Sequence, residues 1–81
     1  MKKNMYGIYD RVAKLFSYMY EAVNDEMANR TFQNEARNEN SALHLNPEDY
    51  ELWKLGNYEL ENGHYTEELY KLTDARGDTS E

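Results

Sequence analysis

The sequence predicts an α+β domain, a small antiparallel sheet of two β-hairpins with one helix between them, in the order ββαββ. Three observations predict it. Residues 4–10 and 15–22 are two aromatic-rich runs separated by Arg11-Val12-Ala13-Lys14, which reads as a hairpin connection. Met27, Ala28, Thr31, Phe32 and Ala36 recur at three- and four-residue spacing, the signature of one helical stripe. In LWKLGNYELENGHYTEELY, residues 52–70, Asn62-Gly63 lies between two further apolar runs. Asn-Gly is the preferred hairpin tip because a type I′ turn needs positive φ at both central positions.

In the first hairpin, pairing Asp10 with Leu15 sets Tyr9 opposite Phe16, Gly7 opposite Tyr18 and Met5 opposite Tyr20. Opposed residues on one face are the unit of sheet packing, so that face is expected to be almost wholly aromatic. Tyr6, Ile8, Ser17 and Met19 fall on the other face, where they suffice to receive the helix. The helix starts after Asn24, a good N-cap, with Asp25 and Glu26 where the helix dipole favours carboxylates, and runs to about Asn38. The run Asn38-Glu39-Asn40-Ser41 ends it, and Asn46-Pro47 opens a turn. Pairing outward from Asn62-Gly63 places Leu60 opposite Tyr65 and Tyr58 opposite Glu67. Strict alternation would then split Trp53 and Leu55 from Tyr58 and Leu60. A β-bulge at Gly56-Asn57 repairs this and puts Trp53, Leu55, Tyr58, Leu60, Tyr65 and Leu69 on one face, the expected core face. Residues 1–73 form the expected domain and 74–81 a flexible polar tail.

With 81 residues the chain makes one domain. A domain of this size buries only around 60% of its unfolded surface, and a two-sided apolar sheet with one helix leaves a face bare, so a homodimer is expected. There is no cysteine, hence no disulfide framework or thiolate metal site. The N-terminus lacks the apolar segment of a secretory signal, and no apolar run approaches the ~20 residues that span a bilayer. A soluble cytoplasmic protein without membrane contact is expected. Residues 1–40 carry six cations and six anions, whereas residues 41–81 carry three cations and ten anions, which accounts for the whole net charge of −7. Any contact with phosphates must therefore use the first half.

Two constellations suit nucleic acid. Tyr9, Phe16, Tyr18 and Tyr20, flanked by Lys2, Lys3, Arg11 and Lys14, resemble a platform on which unpaired bases stack while cations hold the backbone. The same rings also suit a core or a subunit interface, where aromatic faces are found more often than against nucleic acid. Arg30 and Arg37, with Gln33 and Asn34 between them, form a helical ridge suited to phosphates, or else Glu26 pairs with Arg30 and Arg37 is solvated. His44 and His64 show no zinc spacing, the glycines form no phosphate-cradling loop, and no serine sits in a nucleophile elbow. No metal, no cofactor and no enzymatic activity are expected. Arg76-Gly77-Asp78 spells an integrin-binding tripeptide and Asn29-Arg30-Thr31 a glycosylation sequon, but nothing points to secretion and the sequon lies in the expected helix.

The segments YGIYDRVAKLF, NDEMANRTFQNEARN and NPEDYELWKLGNYELENG, together with the closing strand, resemble in order and spacing the small nonstructural protein of gokushovirus-type microviruses. These are phages with circular single-stranded DNA genomes. The likeness runs to about Leu72, and HLNPEDYELWKLGNYELENG is its most specific part. The resemblance implies a DNA-binding or replication-associated nonstructural protein in the host bacterial cytoplasm, with single-stranded DNA as partner, and supplies no catalytic site. The alternative is an acidic interaction module in which residues 48–81 dock on a basic surface of a viral or host replication or assembly protein, without direct DNA binding.

Overall fold

In the computed structural model, which describes residues 1–76, four strands form one antiparallel sheet in the order β2-β1-β3-β4. The strands are β1 (Lys2–Asp10), β2 (Leu15–Ala22), β3 (Tyr50–Glu59) and β4 (Tyr65–Asp74). The two expected hairpins are thus joined through β1 and β3, and β2 and β4 are the edges. Helix α1 (Asp25–Arg37) follows β2, and its N-cap Asn24 accepts a hydrogen bond from the Met27 amide, as the sequence predicts. The turn expected at Asn46-Pro47 is a 3-10 turn (Pro47–Asp49), and one short element was not anticipated: α2 (Ala42–Leu45), capped by Ser41. Ser41 in the polar run that ends α1 starts α2, which buries Leu43 against the core.

The core lies on one face of the sheet only. Tyr6, Ile8 and Leu52 from the strands meet Ala28, Phe32 and Ala36 of α1, with Leu43 and Ala75 at the ends. Leu52, Tyr6 and Phe32 are fully buried. Asp25 fastens α1 across this face, accepting hydrogen bonds of 2.6 Å from the hydroxyls of Tyr6 on β1 and Tyr70 on β4. Buried Lys54 lies 5.8 and 5.7 Å from the centroids of the same two rings and pairs with Glu68 at 3.1 Å. The two ring faces and the carboxylate offset part of the cost of burying this side chain.

Both hairpins differ from expectation in register. In the first, Tyr9 does face Phe16, but Ile8 then faces Tyr18, Gly7 faces Met19 and Tyr6 faces Tyr20. One extra residue, Ser17, sits in β2 at the shift between Ile8 and Tyr9. That bulge divides the expected aromatic face. Tyr9 and Phe16 keep one side, while Tyr18 and Tyr20 join Tyr6 and Ile8 on the helix side, and Met19 crosses to the side away from it.

In the second hairpin the connection runs over residues 60–64, and Tyr58, not Leu60, faces Tyr65. The Gly63 amide bonds back to the Glu59 carbonyl at 2.7 Å, so Asn62-Gly63 closes a longer loop in which only Gly63 has positive φ. A two-residue tip would leave Leu60 and Glu61 in the ladder; instead the Leu60 amide bonds to the Met1 carbonyl, and the N-terminal ammonium meets Glu59 and Glu61.

The bulge in β3 is present, one position earlier than expected. Met5 pairs with Gly56 and Tyr6 with Lys54, leaving Leu55 as the extra residue. Because Gly7, Met5 and Lys3 alternate onto one face, their partners Trp53, Gly56 and Tyr58 share it. The slip keeps Trp53 and Tyr58 together, as inferred. Their face is not the core face, however. Helix α1 covers the opposite side, where the Asp25 hydrogen bonds anchor it. At the C-terminus β4 extends to Asp74, and Ala75 is buried, its amide bonded to the Tyr50 carbonyl. Strand β4 thus takes in Asp74, the first residue of the expected tail, of which residues 77–81 lie outside the described residues.

Candidate functional site

The uncovered face of the sheet gathers rings from all four strands. Tyr9, Phe16 and Trp53 form a mutually edge-on triad with centroid separations of 5.0, 6.4 and 6.5 Å. Gly7 lies beneath them, and a side chain there would meet Phe16 at 2.8 Å and Leu55 at 3.1 Å. Its absence lets the Phe16 ring and Leu55 close over β1. Tyr58 and Tyr65, opposed across β3 and β4, continue the surface, and the Tyr65 ring lies over Gly56. The triad is half-buried by its own members, whereas Met19 and Tyr65 are more than half exposed. This is a ring-bearing surface with no layer above it among the described residues.

Cations border that surface. The Trp53 indole N–H donates to Glu51 at 2.9 Å, and the other Glu51 oxygen lies 3.5 Å from the Lys71 ammonium and 3.6 Å from Arg11. One carboxylate thus fixes the indole and holds two cations at the edge of the triad. Lys3 pairs with Glu21 at 3.3 Å on the same face. Lys14, at the β1–β2 turn, makes no ion pair among the described residues.

The structure brings together only part of the predicted platform. Tyr9, Phe16 and Lys3 lie on the open face, with Arg11 and Lys14 at its turn end. Tyr18 and Tyr20 lie on the helix side, stacked at 6.1 Å, and the Tyr20 hydroxyl donates to the Ala28 carbonyl at 2.7 Å. Burial pushes the Tyr20 hydroxyl up to about 12, as befits a structural group. Lys2 borders a shallow depression with Asn57 and Glu59 and is separated from Lys3 by the pleat. Arg30 and Arg37 sit on the exposed side of α1, Arg37 donating to Asn34 at 2.7 Å, and Arg30 does not pair with Glu26 among the described residues. The aromatic and helical cations therefore do not form one surface. Trp53, Tyr58 and Lys71 belong to the open face and were missed. The bulge at Ser17 hid them, because strict alternation in β2 builds a plausible aromatic face without β3.

A groove of about 670 Å³ opens beside β2 on the helix side, lined by Tyr18, Tyr20, Phe32, Glu35, Ser41 and Leu43 among others. His44 Nδ1 lies 3.0 Å from the Ala36 carbonyl, and the described residues hold no cluster of three or more histidine, aspartate or glutamate side chains suited to a metal ion. Among them, no helix is long and apolar enough to cross a membrane.

No curated protein and no solved structure matches the chain. A family model described as phage ORF5 protein matches residues 3–75, which takes in α1 and the four strands save Lys2 of β1. The chain belongs to the phage ORF5 protein family.

Proposed function

We propose that the protein is a non-enzymatic phage nonstructural protein whose open sheet face takes unpaired bases of single-stranded DNA, in the host cytoplasm, during genome production or packaging of a gokushovirus-type microvirus. The observation that supports this reading is the uncovered triad of Tyr9, Phe16 and Trp53 bordered by Lys3, Lys71 and Arg11. Base stacking on such rings contributes about 1–3 kcal/mol per base without reading sequence, and the bordering cations suit phosphates. Glu59 at the end of β3 and Glu61 in the loop after it lie away from the triad and meet the N-terminal ammonium, and Glu51 and Glu21 on the open face are each paired with a cation, which lessens their repulsion of phosphates.

The chain holds a single tryptophan, and it sits in the triad. Titration with a single-stranded oligonucleotide is expected to quench Trp53 emission saturably, more strongly than duplex does and less as salt rises. Tyr58→Ala should weaken binding by on the order of tenfold, the loss of one stacked base, whereas Arg37→Ala on the far side of the molecule should change it by less than about twofold. Absence of quenching even at low salt would exclude the platform. A pull-down showing capture of a basic replication or assembly protein would then favour docking through the acidic second half.

A further inference from the structure

The two edges of the sheet differ in how they are protected. β4 carries Glu67, Glu68, Lys71 and Asp74, charges of the kind that discourage strand addition. β2 has no charge and no proline from Leu15 to Tyr20, and Leu15, Tyr18 and Met19 are 52%, 62% and 59% exposed. An edge of that length and composition invites another strand.

We propose that β2 pairs antiparallel with β2 of a second copy of this chain, about a two-fold axis between Ser17 and Tyr18. Side-chain direction selects that register. Phe16 packs on Tyr9 and Trp53, and Met19 faces Gly7, so both lie on the open face. Ser17 and Tyr18 both line the helix-side groove, and Tyr20 bonds to α1 on the same side. Leu15, next to Phe16 and opposite Asp10, takes that side too. With Ser17 opposite the partner's Tyr18, Phe16 meets the partner's Met19 on the open face, and Leu15 meets the partner's Tyr20 on the helix side. Every opposed pair then shares a face. Moving the register by one residue either way sets Phe16 against the partner's Tyr18 or the partner's Tyr20, on the wrong side. A strand without the bulge could not pair with itself at this offset, because alternation would put Phe16 and Met19 on opposite faces. The Ser17 bulge that divides the aromatic residues within one chain thus makes β2 self-complementary.

The charges agree with the same register. It brings Lys14, the turn residue just before β2, beside the partner's Glu21 at both ends of the pair. Lys14 has no ion pair of its own among the described residues, and Glu21 is exposed beside Lys3. Opposite charges directly across a pair stabilise it, and the arrangement repeats by symmetry. The joined sheets present one continuous open face with Phe16 and the partner's Met19 at its seam.

The chain has no cysteine, so the register can be read directly by cross-linking. Lys14→Cys and Glu21→Cys, both at exposed positions, are made as separate proteins. In the proposed dimer the two Lys14 positions lie about 20 Å or more apart along the strands, while Lys14 and the partner's Glu21 are adjacent. Under mild oxidation a disulfide dimer is expected in the mixture and not in either variant alone, and sedimentation should show the unmodified protein as a dimer. Met19→Lys, a charge placed on the edge, should raise the dimer dissociation constant at least tenfold with unchanged circular dichroism. A monomer up to several hundred micromolar, or a dimer whose mixed variants do not cross-link, or one in which single variants cross-link equally well, would overturn the proposal. DNA binding plays no part in these measurements, so they stand or fall apart from the platform.

Discussion

Gly56→Val lowers the stability of the protein by about 3 kcal/mol or more and its melting temperature by on the order of 15 °C. Gly56 is the point where β3 changes phase against β1, and its φ of +157° comes with crowding from the next strand. A Cβ at this position would run into the Thr66 carbonyl oxygen and would lie 2.5 Å from the Tyr65 hydroxyl. The carbonyl belongs to the β4 backbone, so relief requires moving a strand and not turning a side chain. Branching at Cβ adds a second obstacle, since valine resists this backbone conformation. Gly63→Ala is the comparison that isolates the cause: Gly63 has φ +76°, but nothing lies within 4 Å of its missing Cβ. It should cost only about 1 kcal/mol, the conformational share alone. Thermal melts of the two variants separate crowding from backbone preference, and equal losses would show that the β3 bulge is not tightly packed against β4.

The slip at Gly56 was legible because glycine marks it and because Trp53 and Tyr58 would otherwise part company. The slip at Ser17 was not. Serine is an unremarkable strand residue, and Phe16, Tyr18 and Tyr20 already alternate, so the wrong register made a more aromatic face than the right one. What decides the matter is the helix. Once α1 is held over Tyr6 by Asp25, Tyr20 gains a carbonyl on α1 for its hydroxyl, and the extra residue lets it reach there. That contact is tertiary, and no local pattern carries it. The same cause explains the inversion of the core. Trp53, Leu55 and Tyr58 are the most apolar set in the second half, yet small residues Ala28 and Ala36 fit the helix to Tyr6, Ile8 and Leu52 instead. The helix boundaries were legible because the cap at Asn24 is local chemistry, and so was the ββαββ order. Lys54 was overlooked because a lysine in a strand reads as solvent-facing. It is buried here between two tyrosine rings, which the pairing of Tyr6 with Lys54 and of Lys54 with Tyr70 brings together.

Asp25→Ala is the second substitution with a large expected effect, a loss of about 2–4 kcal/mol measured by urea unfolding near pH 7. Asp25 stands in the first turn of α1, where its charge favours the helix dipole by about 0.3–1 kcal/mol. The greater part comes from the sheet. Tyr6 is fully buried, and without Asp25 its hydroxyl loses its acceptor, at a cost of about 1–3 kcal/mol. Tyr6→Phe removes the donor as well, so the double variant should be less destabilised than the sum of the singles by about 1 kcal/mol or more. Additive losses would mean that the hydrogen bond does not hold the helix to the sheet. The pH dependence carries the same signature. Burial first, and then the bond to Asp25, raise the Tyr6 hydroxyl above its usual range, while for Tyr70 that bond leads and the value rises to about 12. Unfolded tyrosines ionise near 10, so stability from both is intact below that pH and is lost as pH climbs from about 10 through the folded values. For Asp25, burial pulls upward, but the two hydroxyls and the charge of Lys54 outweigh it and leave the carboxyl below its ordinary value. Its contribution is therefore present above about pH 4 and lost as acid protonates it, the opposite sign. Tyr6→Phe should flatten the alkaline limb and Asp25→Ala the acid one, because a single set of hydrogen bonds between α1, β1 and β4 is being titrated from its two ends.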